Sequence, residues 1–189
     1  MKKVIRHIAL ITAFGIIAAL GLLAYIRLAP SDPDVWHLSP VTAAEVGQGS
    51  CLDAIVTQTN GARATCLSPD TPETLLSRLD QTAIATPRTT RLAGTPQSGR
   101  VTWITRTAPM GFPDYTTAEA TLTPTGTRLD IYARQRFGGK DYGVNTARHK
   151  SWLKNFRRFF CSQISHGGSP LVRHWFKPNG DGGVKPPAR

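Results

Sequence analysis

The sequence predicts an α+β fold: an antiparallel sheet of about four strands with flanking helices, preceded by one N-terminal transmembrane helix. Three observations predict it. An uncharged apolar run opens the chain. Two segments of helical periodicity bracket four segments of alternating polarity. Turn signals, TPQSG and TPTG, separate strands that therefore run up and down.

The apolar run, IALITAFGIIAALGLLAYI, extends over the nineteen residues from Ile8 to Ile26. A bilayer core of roughly 30 Å needs about 20 apolar residues in a helix. Lys2, Lys3 and Arg6 precede the run, and this positive flank holds the N-terminus in the cytoplasm and sends the rest across. A cleaved signal peptide is the rival, but its apolar core is shorter and no small-x-small cleavage site follows. The chain is expected at the inner (cytoplasmic) membrane, single-pass, with a periplasmic C-terminal domain. It divides into a cytoplasmic stub and anchor (1–26), a linker rich in Pro, Ser and Gly (27–50), an α+β domain (51–166) and a disordered basic tail (167–189).

Within the domain, Asn60-Gly61 is a two-residue hairpin signal. If that turn forms, Cys66 faces Ile55, and Cys51 lies four residues, about 13 Å, farther along the strand. A disulfide needs Cα atoms within about 7 Å, so this register argues against a Cys51–Cys66 bridge, which otherwise contributes about 3 kcal/mol in an oxidising compartment. Asp70, Pro72 and Glu73 then mark a helix start, and Leu75, Leu76, Leu79 and Ala83 form its apolar face, ended by Pro87. The strands TTRLAG, VTWITRT, TTAEATLT and TRLDIYARQRF follow. Asn145 caps a last helix, TARHKSWLKNFRRFFCSQIS, which Gly167-Gly168 closes. Trp152, Phe156, Phe159 or Phe160, and Ile164 make its apolar stripe. Lys150, Lys154, Arg157 and Arg158 make a basic face, suited to solvent or to anionic headgroups.

The formal net charge is +11, and twelve basic residues against two acidic ones fall from Arg134 onward. Such a block favours anionic partners. For an exported domain these are lipid headgroups, an anionic ligand or a protein partner, and not nucleic acid.

Antiparallel connectivity then brings distant residues to one end of the sheet. Arg88, Arg106, Asp114, Tyr115, Arg134, Arg136, Asp141, Tyr142 and Asn145 are expected to gather there, with Arg148 on the first turn of the last helix. Guanidinium groups grip carboxylate or phosphate as a bidentate fork, and a helix N-terminus adds positive potential, so the cluster suits an anion site. A structural joint, in which Asp114 and Asp141 neutralise Arg106 and Arg136, has the same composition.

The segments TPRTTRLAG, TWITRTAPMGFPDYT and IYARQRFGGKDYGVNTARHKSWL resemble the signature segments of a bacterial family known as domain of unknown function 1499. The resemblance covers roughly Pro72 to Phe156. Its strongest piece is Arg-x-Gly-x-x-Asp-x-Gly-x-Asn-x-x-Arg, from Arg136 to Arg148, with Gln135-Arg136 standing where the family's run carries Ser-Arg. The resemblance supports the domain and implies no activity. A P-loop fails, since Gly139-Lys140 precedes Asp141. No metal is expected, because His149, His166 and His174 fit no compact ligand set and read as surface residues; no cofactor is expected either. The leading expectation is a membrane-anchored binding or scaffold module for an anionic group. Its rivals are a hydrolase or transferase using Asp114 and Asp141, for which the surrounding arginines favour a base over an acid, and a purely structural protein-interaction domain.

Overall fold

The structure, a computed structural model, describes residues 2–41 and 51–164, with side chains described up to Lys154. The phenylalanine stripe beyond Trp152, the basic pair Arg157 and Arg158, His166, His174 and the tail lie outside that description.

Helix α1 (Lys2–Leu28) contains the whole apolar run and is long and apolar enough to cross a membrane. A short helix, α2 (Pro33–Trp36), follows, capped by Asp32, whose carboxylate accepts from the Asp34 amide. Next come β1 (Ile55–Gln58), β2 (Gly61–Ser68), α3 (Pro72–Ile84), β3 (Thr89–Thr95), β4 (Arg100–Arg106), β5 (Pro113–Thr123), β6 (Gly126–Gln135) and α4 (Val144–Ile164). The six strands form one antiparallel sheet in the order β1-β2-β6-β5-β4-β3. The α+β class and the strands β3 to β6 match expectation, and the β1–β2 hairpin adds two more.

That hairpin corrects two expectations. Gln58 pairs with Gly61, so Thr59 and Asn60 form the turn and Gly61 is a strand residue. A Cβ on Gly61 would lie 2.0 Å from the Ala133 carbonyl oxygen. The glycine therefore permits close approach of β2 to β6, a role that competes with the turn role assigned from the Asn-Gly pair. The Cys51–Cys66 disulfide is formed, with Cα atoms 5.1 Å apart. Ile55 pairs with Ala64 and not with Cys66, which shortens the assumed four-residue offset by two, and residues 51–54 form a turn before β1, so the 13 Å separation does not arise.

Both main helices pack on one face of the sheet. Leu75, Leu76, Leu79 and Ala83 of α3 and Trp152 and Leu153 of α4 are buried against Val101, Trp103, Ala118, Leu129 and Ile131. Trp103 and Trp152 meet edge to face at 5.6 Å. Each buried leucine contributes about 1.5–3 kcal/mol. Thr71, and not Asp70, caps α3: its hydroxyl accepts from the Thr74 amide, while Asp70 pairs with Arg78 at 2.9 Å.

The other face carries residues 29–41; of the expected linker, 27–50, Arg27 and Leu28 instead finish α1. Trp36 stacks on Tyr115 at 3.9 Å, Ser31 meets the Tyr115 hydroxyl at 2.7 Å, and His37 meets Thr102 at 2.8 Å. The segment is strapped along the sheet. Pro/Ser content marked it as irregular backbone, yet a polar strand face studded with tyrosine and threonine supplies partners for an irregular chain.

Candidate functional site

The sheet register places the expected residues at one end. Asp114 pairs with Gln135, Tyr115 with Arg134, and Arg106 with Pro113, while the Arg106 amide donates to the Arg88 carbonyl. The pleat then splits them, because neighbouring positions on a strand point to opposite faces.

On the helix face, Asp114 and Arg148 form a buried ion pair at 2.9 Å. Arg148 also donates to the Asn145 side-chain oxygen. The Asn145 side-chain amide donates to Asp141 at 2.6 Å, and Asp141 accepts from the Asn145 backbone N–H. Asp141 thus holds the first turn of α4, the role expected of Asn145, whose side chain instead joins Asp141 to Arg148. The Asp141 amide donates to Thr59 at 2.8 Å, which ties the loop after β6 to the β1–β2 turn. Asp114 and Asp141 pair with these α4 groups and not with Arg106 or Arg136. Burial raises the Asp114 carboxyl above its ordinary value, outweighing the opposing pull of Arg148.

His149, expected at the surface, is fully buried beside this network, and neither ring nitrogen has a hydrogen-bond partner. Burial first, and Arg148 second, push its pKa down to about 3. The helical period of α4 carries the explanation: His149 stands three residues before Trp152 and shares its inward face.

On the strap face the guanidinium groups meet backbone carbonyls and aromatic rings. Arg134 donates to the Trp36 carbonyl at 2.9 Å and lies over the Trp36 and Tyr132 rings. Burial, with Arg63 acting the same way, lowers Arg134 from its ordinary pKa. Arg136 donates to the Pro30 carbonyl at 2.7 Å and to the Tyr115 hydroxyl at 3.3 Å. Arg106 donates to Gly111 at 3.0 Å, and Arg88 donates to Arg106 at 3.1 Å. Arg27, from the end of α1, donates to Pro109 at 2.5 Å and crosses Gly111, whose φ of +81° and missing Cβ leave it room. Among the described residues, none of Arg27, Arg88, Arg106, Arg134 and Arg136 meets a carboxylate. Tyr142 is exposed, beneath Lys140.

A cleft of about 510 Å³ at the opposite end was not foreseen; it is lined by His37, Ser98, Arg100, Glu119, Thr121 and Leu122 among others. Glu119 is held there by Arg100 at 2.8 Å and Ser39 at 2.7 Å. Burial, followed by the charge of Arg100, lowers the pKa of His37. No sequence signal marked this end, because His37 and Ser39 reach it only through the strap.

Fold and site together define a class: a small α+β domain whose sheet carries a membrane-length helix at its start and a loop-rich, arginine-bearing end. The chain belongs to the family described as Protein of unknown function (DUF1499), whose model matches residues 41–156. A crystal structure of protein MLL2253 from Mesorhizobium loti is similar over 51% of this chain and 96% of its own, at 15% identity and a TM-score of 0.39. No curated protein matches the chain.

Proposed function

We propose that the protein is a single-pass anchor at the inner membrane whose periplasmic domain is a binding or scaffold module for an anionic group. The end of α1 belongs to the domain: Ile26 and Ala29 are buried, and Tyr25 meets Phe137 with ring centroids 6.0 Å apart. That packing favours a retained anchor over a cleaved signal. The Cys51–Cys66 bridge favours an oxidising compartment, and the N-terminal lysines and arginine favour a cytoplasmic start.

The anion reading is carried by one observation: Arg27, Arg88, Arg106 and Arg136 share an end of the sheet without a carboxylate partner among the described residues. Guanidinium groups bound to carbonyls and, for Arg136, a tyrosine hydroxyl keep their full charge and some N–H donors for a ligand. Asp114 and Asp141, by contrast, are already tied to Arg148 and Asn145 in the buried network, an arrangement that suits a joint better than acid–base chemistry. The test is titration of the full chain in maltoside micelles with inorganic pyrophosphate, alongside Arg106→Ala and Arg136→Ala. Saturable binding lost in both variants, with melting temperatures kept, supports the proposal. Equal binding by all three proteins, or variants that unfold, supports a structural joint instead.

A further inference from the structure

We infer that the arginine-bearing end is a seat for the phosphates of lipid headgroups, in the leaflet from which α1 emerges. This rests on the membrane-anchored reading above and deepens it by fixing the depth of the domain. The uncharged run ends at Ile26, and at about 1.5 Å per residue it fills the hydrocarbon core with little to spare. Ile26 is therefore a boundary residue, yet it is only 4% exposed, because the domain covers it. Tyr25 touches Phe137, and Arg27 donates to the carbonyls of Pro109 and Met110. Loops that touch the last turn of a spanning helix lie at the depth of that turn. Residues 109–112 and 136–137 thus sit in the headgroup layer.

Their chemistry suits that layer. Met110 is 44% exposed, and Phe112 and Phe137 pack together with Tyr25 as an aromatic belt. Around them stand Arg27, Arg88, Arg106, Arg136 and, three residues past Phe137, the exposed Lys140. The two aspartates at this end are satisfied on the opposite face by Arg148 and Asn145. Asp32 and Asp34, exposed at the start of α2, carry negative charge, and the five basic side chains of the rim outnumber them. A cationic, aromatic rim held at headgroup depth by its own anchor meets phosphate as its nearest counter-ion.

The experiment is amide hydrogen exchange of the full chain over residues 107–112 and 136–143. Four settings are compared: maltoside micelles, micelles with inorganic phosphate, and nanodiscs of phosphatidylcholine or phosphatidylglycerol. Exchange is expected to slow about tenfold in the nanodiscs relative to plain micelles, most in phosphatidylglycerol, and less so in Lys140→Gln and Arg88→Gln. Equal slowing by inorganic phosphate in micelles overturns the lipid assignment and leaves a free-phosphate site. Absence of slowing in any setting, for protein that stays in alkali-washed membranes, overturns the docking while the anchor stands. Protein released by alkali overturns the anchor itself, and the inference with it.

Discussion

Acid destabilises this domain chiefly through His149, with His37, whose pKa burial also lowers, acting in the same sense. His149 is buried with both ring nitrogens unpartnered, and its pKa falls from 6.5 to about 3 on folding. Between those values the unfolded chain binds a proton that the folded chain refuses. Stability therefore rises with pH through that window and is lost as pH drops below about 6.5, at up to about 1.36 kcal/mol per pH unit. From pH 7.5 to 5.0 the loss is about 2 kcal/mol, which lowers the melting temperature of a chain this size by about 4–8 °C. Asp114 acts with the opposite sign. Its raised folded pKa adds stability at low pH that disappears as pH climbs through that value. The assay is a set of melting curves of the full chain in micelles, followed by tryptophan fluorescence, for wild type and His149→Leu. The variant is expected to be more stable at pH 7.5, since two unsatisfied buried nitrogens are gone, and to lose most of its acid slope, the remainder belonging to His37. Parallel decline of both proteins from pH 7.5 to 5.0 would refute the assignment to His149.

Three further outcomes follow from the packing. Arg148→Met leaves the buried Asp114 carboxylate without its ion-pair partner, and is expected to cost about 3–5 kcal/mol in denaturant unfolding, much of it recovered in the Asp114→Asn/Arg148→Met double variant. Gly61→Ala drives a methyl onto the Ala133 carbonyl, so it is expected to lower the melting temperature more than Ala62→Gly, a buried neighbour on the same strand. Trp36→Ala removes the ring stacked on Tyr115 and costs roughly 2 kcal/mol, with faster hydrogen exchange confined to residues 30–40.

Periodicity and charge made much of this protein legible. The nineteen uncharged residues of α1, the leucine face of α3 and the alternation in β3 to β6 are local patterns, and local patterns survive without knowledge of the fold. Connectivity also anticipated which residues share one end of the sheet, because direction along an antiparallel sheet follows from the count of turns. Face did not follow so easily. Asp114 and Tyr115 are neighbours in sequence, yet one is buried with Arg148 under α4 and the other is stacked on Trp36 beneath the strap.

The sequence by itself determined the main helices and the strands β3 to β6, the anchor-length helix, the basic end and the family. Only the tertiary structure decided the partners. Gly61 is a strand residue because β6 passes close by, Cys51 reaches Cys66 because the chain turns first, and residues 29–41 lie along the sheet because Tyr115, Thr102 and Arg134 receive them. The Gly61 and strap contacts depend on backbone that is distant in sequence. No local propensity encodes a contact whose other half stands tens of residues away.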